Sequence, residues 1–395
     1  MPSVNWSLIP KAITIDVYCF LSDRIPMRFF VLMTLISIAV QPAFFSERQL
    51  HAQLPDKQVT GRIRYNNTDF LGLPLGWDGK RIALLGPTGK LNFVPVKSRS
   101  ELEIVSDEFL TYQSNDIAKM LQAEFAARYD ISTSDQHVVV HPWGDRSVYL
   151  KPFEDLHQRF VTFFESRGVE LQKPPIPLIG IVLRSRNDFE RYLINEVNVR
   201  DSRIAGYYSH LTNRITTYDP SAQLRRKGDR WLYQAGPVIH EATHQSAFNT
   251  GLHNRFAPPP KWLAEGLAML FESPGFHNEK RFADPADRVN RIRLGQLREK
   301  IKQGKMKGSL IKVIAYDRLF ESDIELAYAI SWGLSYYLYE RDQQQYIDFL
   351  VKDSKRKNFA PYPPADRLEN FALAFGNDVN QLEADLIRFF TEKKE

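Results

Sequence analysis

Cysteine is almost missing. Cys19 is the single one in 395 residues, so no disulfide can close within the chain and no cysteine-based zinc ligand set is available. Charge of one sign is also scarce: 52 lysines and arginines against 47 aspartates and glutamates leave a formal net charge of +5. The two basic clusters, KQGKMKG around Lys305 and the run Lys355-Arg356-Lys357, carry no interleaved aromatics. They read as solvated surface, and no nucleic-acid partner is expected. No internal repeat and no low-complexity linker occurs.

Long apolar runs are lacking too. Phe29 to Val40 stops after 12 residues at Gln41 and Pro42, short of the roughly 20 that a spanning helix needs. Arg28 precedes this run, and Leu50-His51-Ala52 offers a cleavage site. A basic end, a short apolar core and a small residue at the cut are the parts of a secretory signal. Residues 1–52 are therefore expected to be leader, with Met27 the expected start because a signal begins near its basic end. The expected location is secreted or periplasmic. An uncleaved leader would instead give membrane anchoring or cell-envelope association.

What is present is an ordinary folding composition, 43% hydrophobic and 25% charged, with room for one large or two modest domains. Residues 53–97 are punctuated by Gly61, Gly72, Gly76, Gly79, Gly86 and Gly89 between short apolar runs. Asp78-Gly79 and Thr88-Gly89 fit hairpin turns, since glycine accepts positive φ freely. This stretch reads as a small β module that either binds something or covers the next domain. Beyond it, residues 98–395 form the main domain. Helical periodicity runs over 114–129, with Ile117, Leu121 and Phe125 on one face, and over 151–167, with Phe153, Leu156, Phe160 and Phe163. His137–His141 and Pro177–Leu183 read as buried strands, and Asn187–Val197 as a helix. A strand pair follows, Ala205–Ser209 and Arg214–Tyr218, turning at Thr212-Asn213. That order predicts an α+β fold with a mixed sheet backed by helices.

The pentapeptide His240-Glu241-Ala242-Thr243-His244 comes next, in a helix-compatible run. Four-residue spacing puts both imidazoles on one helix face, within reach of one metal ion, and leaves Glu241 beside that ion as a general base for a metal-activated water. Pro237 requires the helix to begin near Ala235 or to kink, and Gly251 is a natural stop. A second helix is expected after Pro258-Pro259-Pro260, and it carries Glu265. An antiparallel pair of helices could bring Glu265 to the histidines. Two histidines, one glutamate and an open position make up a catalytic zinc set. Glu272 lies seven positions after Glu265, on the same helix face, as a carboxylate that could hold a ligand histidine from behind. A surface glutamate is the competing reading. The remainder is expected to be helical: a basic amphipathic stretch at 288–302, an aromatic-rich apolar helix at 326–338, and one or two closing helices over 368–390.

HEATH followed by WLAEGLA resembles the gluzincin metallopeptidases, in which an HExxH helix precedes a WLxEG-type helix with the third zinc ligand. HEATHQSAFNTGLHNR, with GYYSHLTNRITTYD before it, is similar to a family of uncharacterised secreted bacterial proteins. That family is a domain of unknown function with a peptidase MA-like fold. The resemblance implies a zincin-like sheet with an active-site helix, a C-terminal helical subdomain, a zinc cofactor and a peptide or protein substrate. In zincins the strand before the active helix flanks the cleft, so Arg214–Tyr218 or its partner is expected to line the groove. The aspartate that some gluzincins carry four residues after the ligand glutamate is Met269 here. Gluzincins also place a downstream tyrosine or histidine at the developing oxyanion. Tyr328 is the first candidate, with Tyr207, Tyr208 and His210 as alternatives and core packing as the competing role for Tyr328. His253 and His277 are expected in exposed loops. The expected activity is peptide-bond hydrolysis, and the alternative is a non-catalytic envelope binding or scaffolding protein that keeps the fold.

Overall fold

The computed structural model describes residues 18–21, 58–144, 146–200, 204–219 and 235–392. The leader reading, including the Met27 start and the cleavage site, falls largely outside them. In chain order the elements are β1 (Tyr18–Leu21), β2 (Thr60–Tyr65), β3 (Thr68–Trp77), β4 (Arg81–Leu85), β5 (Leu91–Pro95), β6 (Glu103–Ser106), α1 (Ser114–Phe125), β7 (Asp130–Thr133) and β8 (His137–His141). Then come α2 (Arg146–Glu165), β9 (Leu178–Leu183), α3 (Arg186–Val197), β10 (Ile204–Ser209), β11 (Arg214–Tyr218), α4 (Ala235–Asn249), α5 (Lys261–Phe271) and α6 (Pro274–His277). The chain closes with α7 (Arg291–Lys302), α8 (Leu310–Ala315), α9 (Leu319–Ser322), α10 (Ile324–Arg341), α11 (Gln343–Ser354), α12 (Pro364–Phe375) and α13 (Val379–Glu392). The architecture is α+β, with two sheets.

The small sheet has the order β5-β4-β3-β2-β6. Its turns behave as the glycines require, with Gly79 and Gly89 at φ of 86° and 83°. It extends past residue 97, because Glu103–Ser106 pairs with β2. The amide of Leu91 donates to Leu211 O at 2.7 Å, so the module braces the β10–β11 turn.

The large sheet runs β1-β10-β11-β9-β8-β7. β8, β9 and β11 are parallel, and β10 is antiparallel to β11. β8 and β9 are buried at every position, as their unbroken apolar runs require when helices cover both faces. α1 and α3 pack on one face with Tyr207, while α4 packs on the other with Tyr208 and Val238. Sequence order misleads in one respect. β11, the last strand before α4, lies inside the sheet, and its partner β10 is the strand towards the edge, where β1 pairs with it and lies against α4.

α2 starts at Arg146, upstream of the expected 151, and carries Pro152 inside it. α4 starts at Ala235, so Pro237 sits in the first turn, where its missing N–H is tolerated. From α5 onward the structure is helical. α5 is buried from Trp262 to Phe271, and α10 packs along it in the largest apolar core. Among the described residues no helix is long and apolar enough to cross a membrane.

Candidate metal centre

α4 is pinned to the sheet from beneath. The Gln245 side-chain amide donates to Ile179 O at 3.1 Å and Asn213 O at 3.0 Å, and Ser246 Oγ lies 3.0 Å from His157 Nδ1 on α2. The helix therefore cannot roll, and its opposite face presents His240 and His244. α5 delivers Glu265 from the other side. His240 Nε2 lies 3.2 Å from His244 Nε2 and 3.1 Å from Glu265 Oε2, and His244 Nε2 lies 3.8 Å from the same oxygen. Bonds of about 2.0–2.2 Å at tetrahedral angles set zinc ligand atoms roughly 3.3–3.6 Å apart. The three donors bracket that spacing, and the buried group they form can hold a metal ion.

Burial sharpens the electrostatics. Glu265 is the one acidic group in a helix otherwise packed with apolar side chains, and it is 1% exposed. A carboxylate there needs a positive partner. Without a cation, burial pushes Glu265 up, but hydrogen bonds from the two imidazoles outweigh it and hold the group down at about 2. Burial pushes His240 down, yet Glu265 and Glu272 override it and raise it to about 10. His244 is lowered by burial. A proton on His240 thus balances, in the metal-free protein, the charge that a cation would balance.

His240 Nδ1–H donates to Glu272 Oε1 at 2.8 Å, which turns Nε2 towards Glu265. Glu272 is thereby a half-buried partner of the candidate donor His240 and not a free surface glutamate; its other side-chain contacts come from Asn290 and Arg293 at the start of α7. Glu241 is fully buried. Its Oε2 accepts from the Tyr208 amide at 2.7 Å, and its Oε1 has no hydrogen-bond partner among the described residues. Burial raises it to about 8, against the pull of His240. Gly206 makes its position possible: a Cβ there would stand 2.8 Å from Glu241 Cγ.

The oxyanion candidates separate. Tyr207 faces the α1/α3 side of the sheet, away from α4. The Tyr208 hydroxyl donates to Asn213 Oδ1 at 2.8 Å. Tyr328 is buried on α10, its ring 5.8 Å from Phe320 and 5.6 Å from the Arg293 guanidinium. The His210 ring lies 4.9 Å from Phe248. His253 is a correction: it is 1% exposed, not a loop residue in solvent, because it folds back on Phe248 at 5.4 Å. His277 is half-buried and its Nδ1 bonds Phe271 O. A separate polar cavity of about 490 Å³, lined by Arg167 and Arg288, touches none of the metal-binding residues.

Sequence reasoning missed Gly206, Asn290 and Arg293. Asn290 caps α7, which begins at Arg291, inside the stretch expected to be helical from 288.

Residues 234–360 match the family described as "Protein of unknown function (DUF1570)". The matched segment is about a third of the chain, and it contains all three donors together with Glu241, Glu272, Asn290, Arg293 and Tyr328. No curated protein matches. The DUF1570 match thus coincides with the site and brings no activity with it.

Proposed function

We propose that this protein is an exported zinc-dependent peptidase of the gluzincin type. The observation that carries the reading is the meeting of His240, His244 and Glu265 in one buried group, with Glu241 beside it holding an oxygen unpaired among the described residues. Two imidazoles and one carboxylate suit zinc, which supplies a Lewis acid that activates water for attack. Glu241 accepts the proton that the water gives up and hands it to the leaving amine. β10 lies one strand in from the edge, and the antiparallel seat that β1 (Tyr18–Leu21) takes on it is of the kind an extended peptide would take.

One observation favours the second reading, a binding or scaffolding protein of the cell envelope. His240, Glu241, His244 and Glu265 are each at most 1% exposed, so a substrate needs an opening that the described residues do not offer. Replacing Glu241 with glutamine separates the two. The peptidase reading expects one zinc per chain in both proteins and a turnover of a broad peptide library lower by about 10²–10⁴ in Glu241→Gln. Equal behaviour on the library, with zinc retained, leaves the binding reading. Purified protein without metal sinks both the zinc and the hydrolase.

A further inference from the structure

We infer that the first turn of α7 is a clamp on Glu272 that sets the metal affinity of the site, with Asn290 and Arg293 as positioning residues. The inference rests on the reading of His240 as a metal ligand.

Glu272 closes α5 and has both oxygens engaged. Oε1 takes the His240 Nδ1 proton at 2.8 Å and faces Arg293 Nη2 at 3.5 Å; Oε2 accepts from Asn290 Nδ2 at 2.6 Å. Asn290 is held at its other end as well. It is the N-cap of α7, and its Oδ1 accepts from the Arg293 amide at 3.2 Å, so the orientation that caps the helix also aims Nδ2 at Glu272. The positive end of the α7 dipole points the same way. Arg293 is 2% exposed, and a guanidinium buried that deeply requires a carboxylate partner. Leu294 and Leu297 anchor α7 in the core, so the clamp sits on a rigid helix.

A carboxylate behind a ligand histidine fixes the ring plane and the tautomer, which helps the metal only while the carboxylate is itself held. Asn290 restrains one Glu272 oxygen and leaves the other for His240. Arg293 supplies the local counter-charge. Loss of either lets Glu272 turn, and with it the His240 ring.

The test is zinc affinity, measured by competition with a chromophoric chelator, in wild type, Asn290→Ser and Arg293→Met. Serine still caps a helix but is too short to reach Glu272, so Asn290→Ser removes the clamp and keeps the cap. The expected result is affinity weaker by about 10–100-fold in each variant. A changed visible spectrum of the cobalt-loaded Asn290→Ser protein, with unchanged melting of its metal-free form, is also expected. Affinities within twofold of wild type overturn the inference. Should Arg293→Met fail to fold, Asn290→Ser decides alone. A wild type that binds no zinc fails the proposed function instead and is told apart at once.

Discussion

Glu241 keeps its place because Gly206 has no side chain. The strand passes so close that an added Cβ would meet Glu241 Cγ at 2.8 Å and Pro237 O at 3.3 Å. Either β10 moves away from α4 or the carboxylate turns off the Tyr208 amide. A misplacement near 1 Å at a reacting group costs about 100-fold. Gly206→Ala is therefore expected to lower kcat by about that factor with zinc content unchanged, read by peptide turnover and metal analysis side by side. Full activity would show that Glu241 has room to spare. The contrast with His240 and His244 explains what was legible at this scale. Their roles follow from spacing within five residues. Gly206 acts on a side chain 35 positions away, and Arg293 acts on one 21 positions back, so no local pattern announces either.

At the scale of elements, α5, which carries Glu265, is held by close approach to α10. A Cβ on Gly266, next to the candidate donor Glu265, would lie 2.0 Å from Ser335 Oγ and 2.7 Å from Ser331 O. The serine hydroxyl can rotate, but the carbonyl belongs to the α10 backbone. Overpacking of this kind costs about 1–3 kcal/mol. Gly266→Ala is expected to lose that much stability in urea unfolding, and adding Ser335→Ala should restore only part of it because the Ser331 carbonyl remains. Complete rescue would place the whole clash on the hydroxyl. Helices such as α1, α3 and α10 were legible because one face or one long run is apolar. The sheet order was not. Nothing in Arg214–Tyr218 says that it enters between β9 and β10 and leaves β10 towards the edge under β1, since strand neighbours are chosen by helix packing far along the chain.

For the whole molecule, the charge state of the site links folding, pH and metal. In the metal-free protein His240 is raised from 6.5 to about 10 and Glu241 from 4.5 to about 8. Both groups bind protons more tightly folded than unfolded, so the stability they confer is complete below the unfolded values and is lost as pH rises through the folded ones. Glu265 is depressed to about 2 from 4.5, so its contribution is present above 4.5 and is lost only as pH falls through 2. His240 and Glu241 therefore favour the metal-free fold less at pH 9 than at pH 6, while the buried histidines held down by burial, His137, His157, His210, His244 and His253 among them, favour it more as pH rises through 6.5. Zinc needs His240 deprotonated and replaces that proton, so its stabilisation grows as protons become scarcer. The melting gap between zinc-saturated and chelator-treated protein should therefore widen from pH 6 to pH 9. A constant gap would mean that no proton leaves when the metal enters, and that His240 is not a ligand.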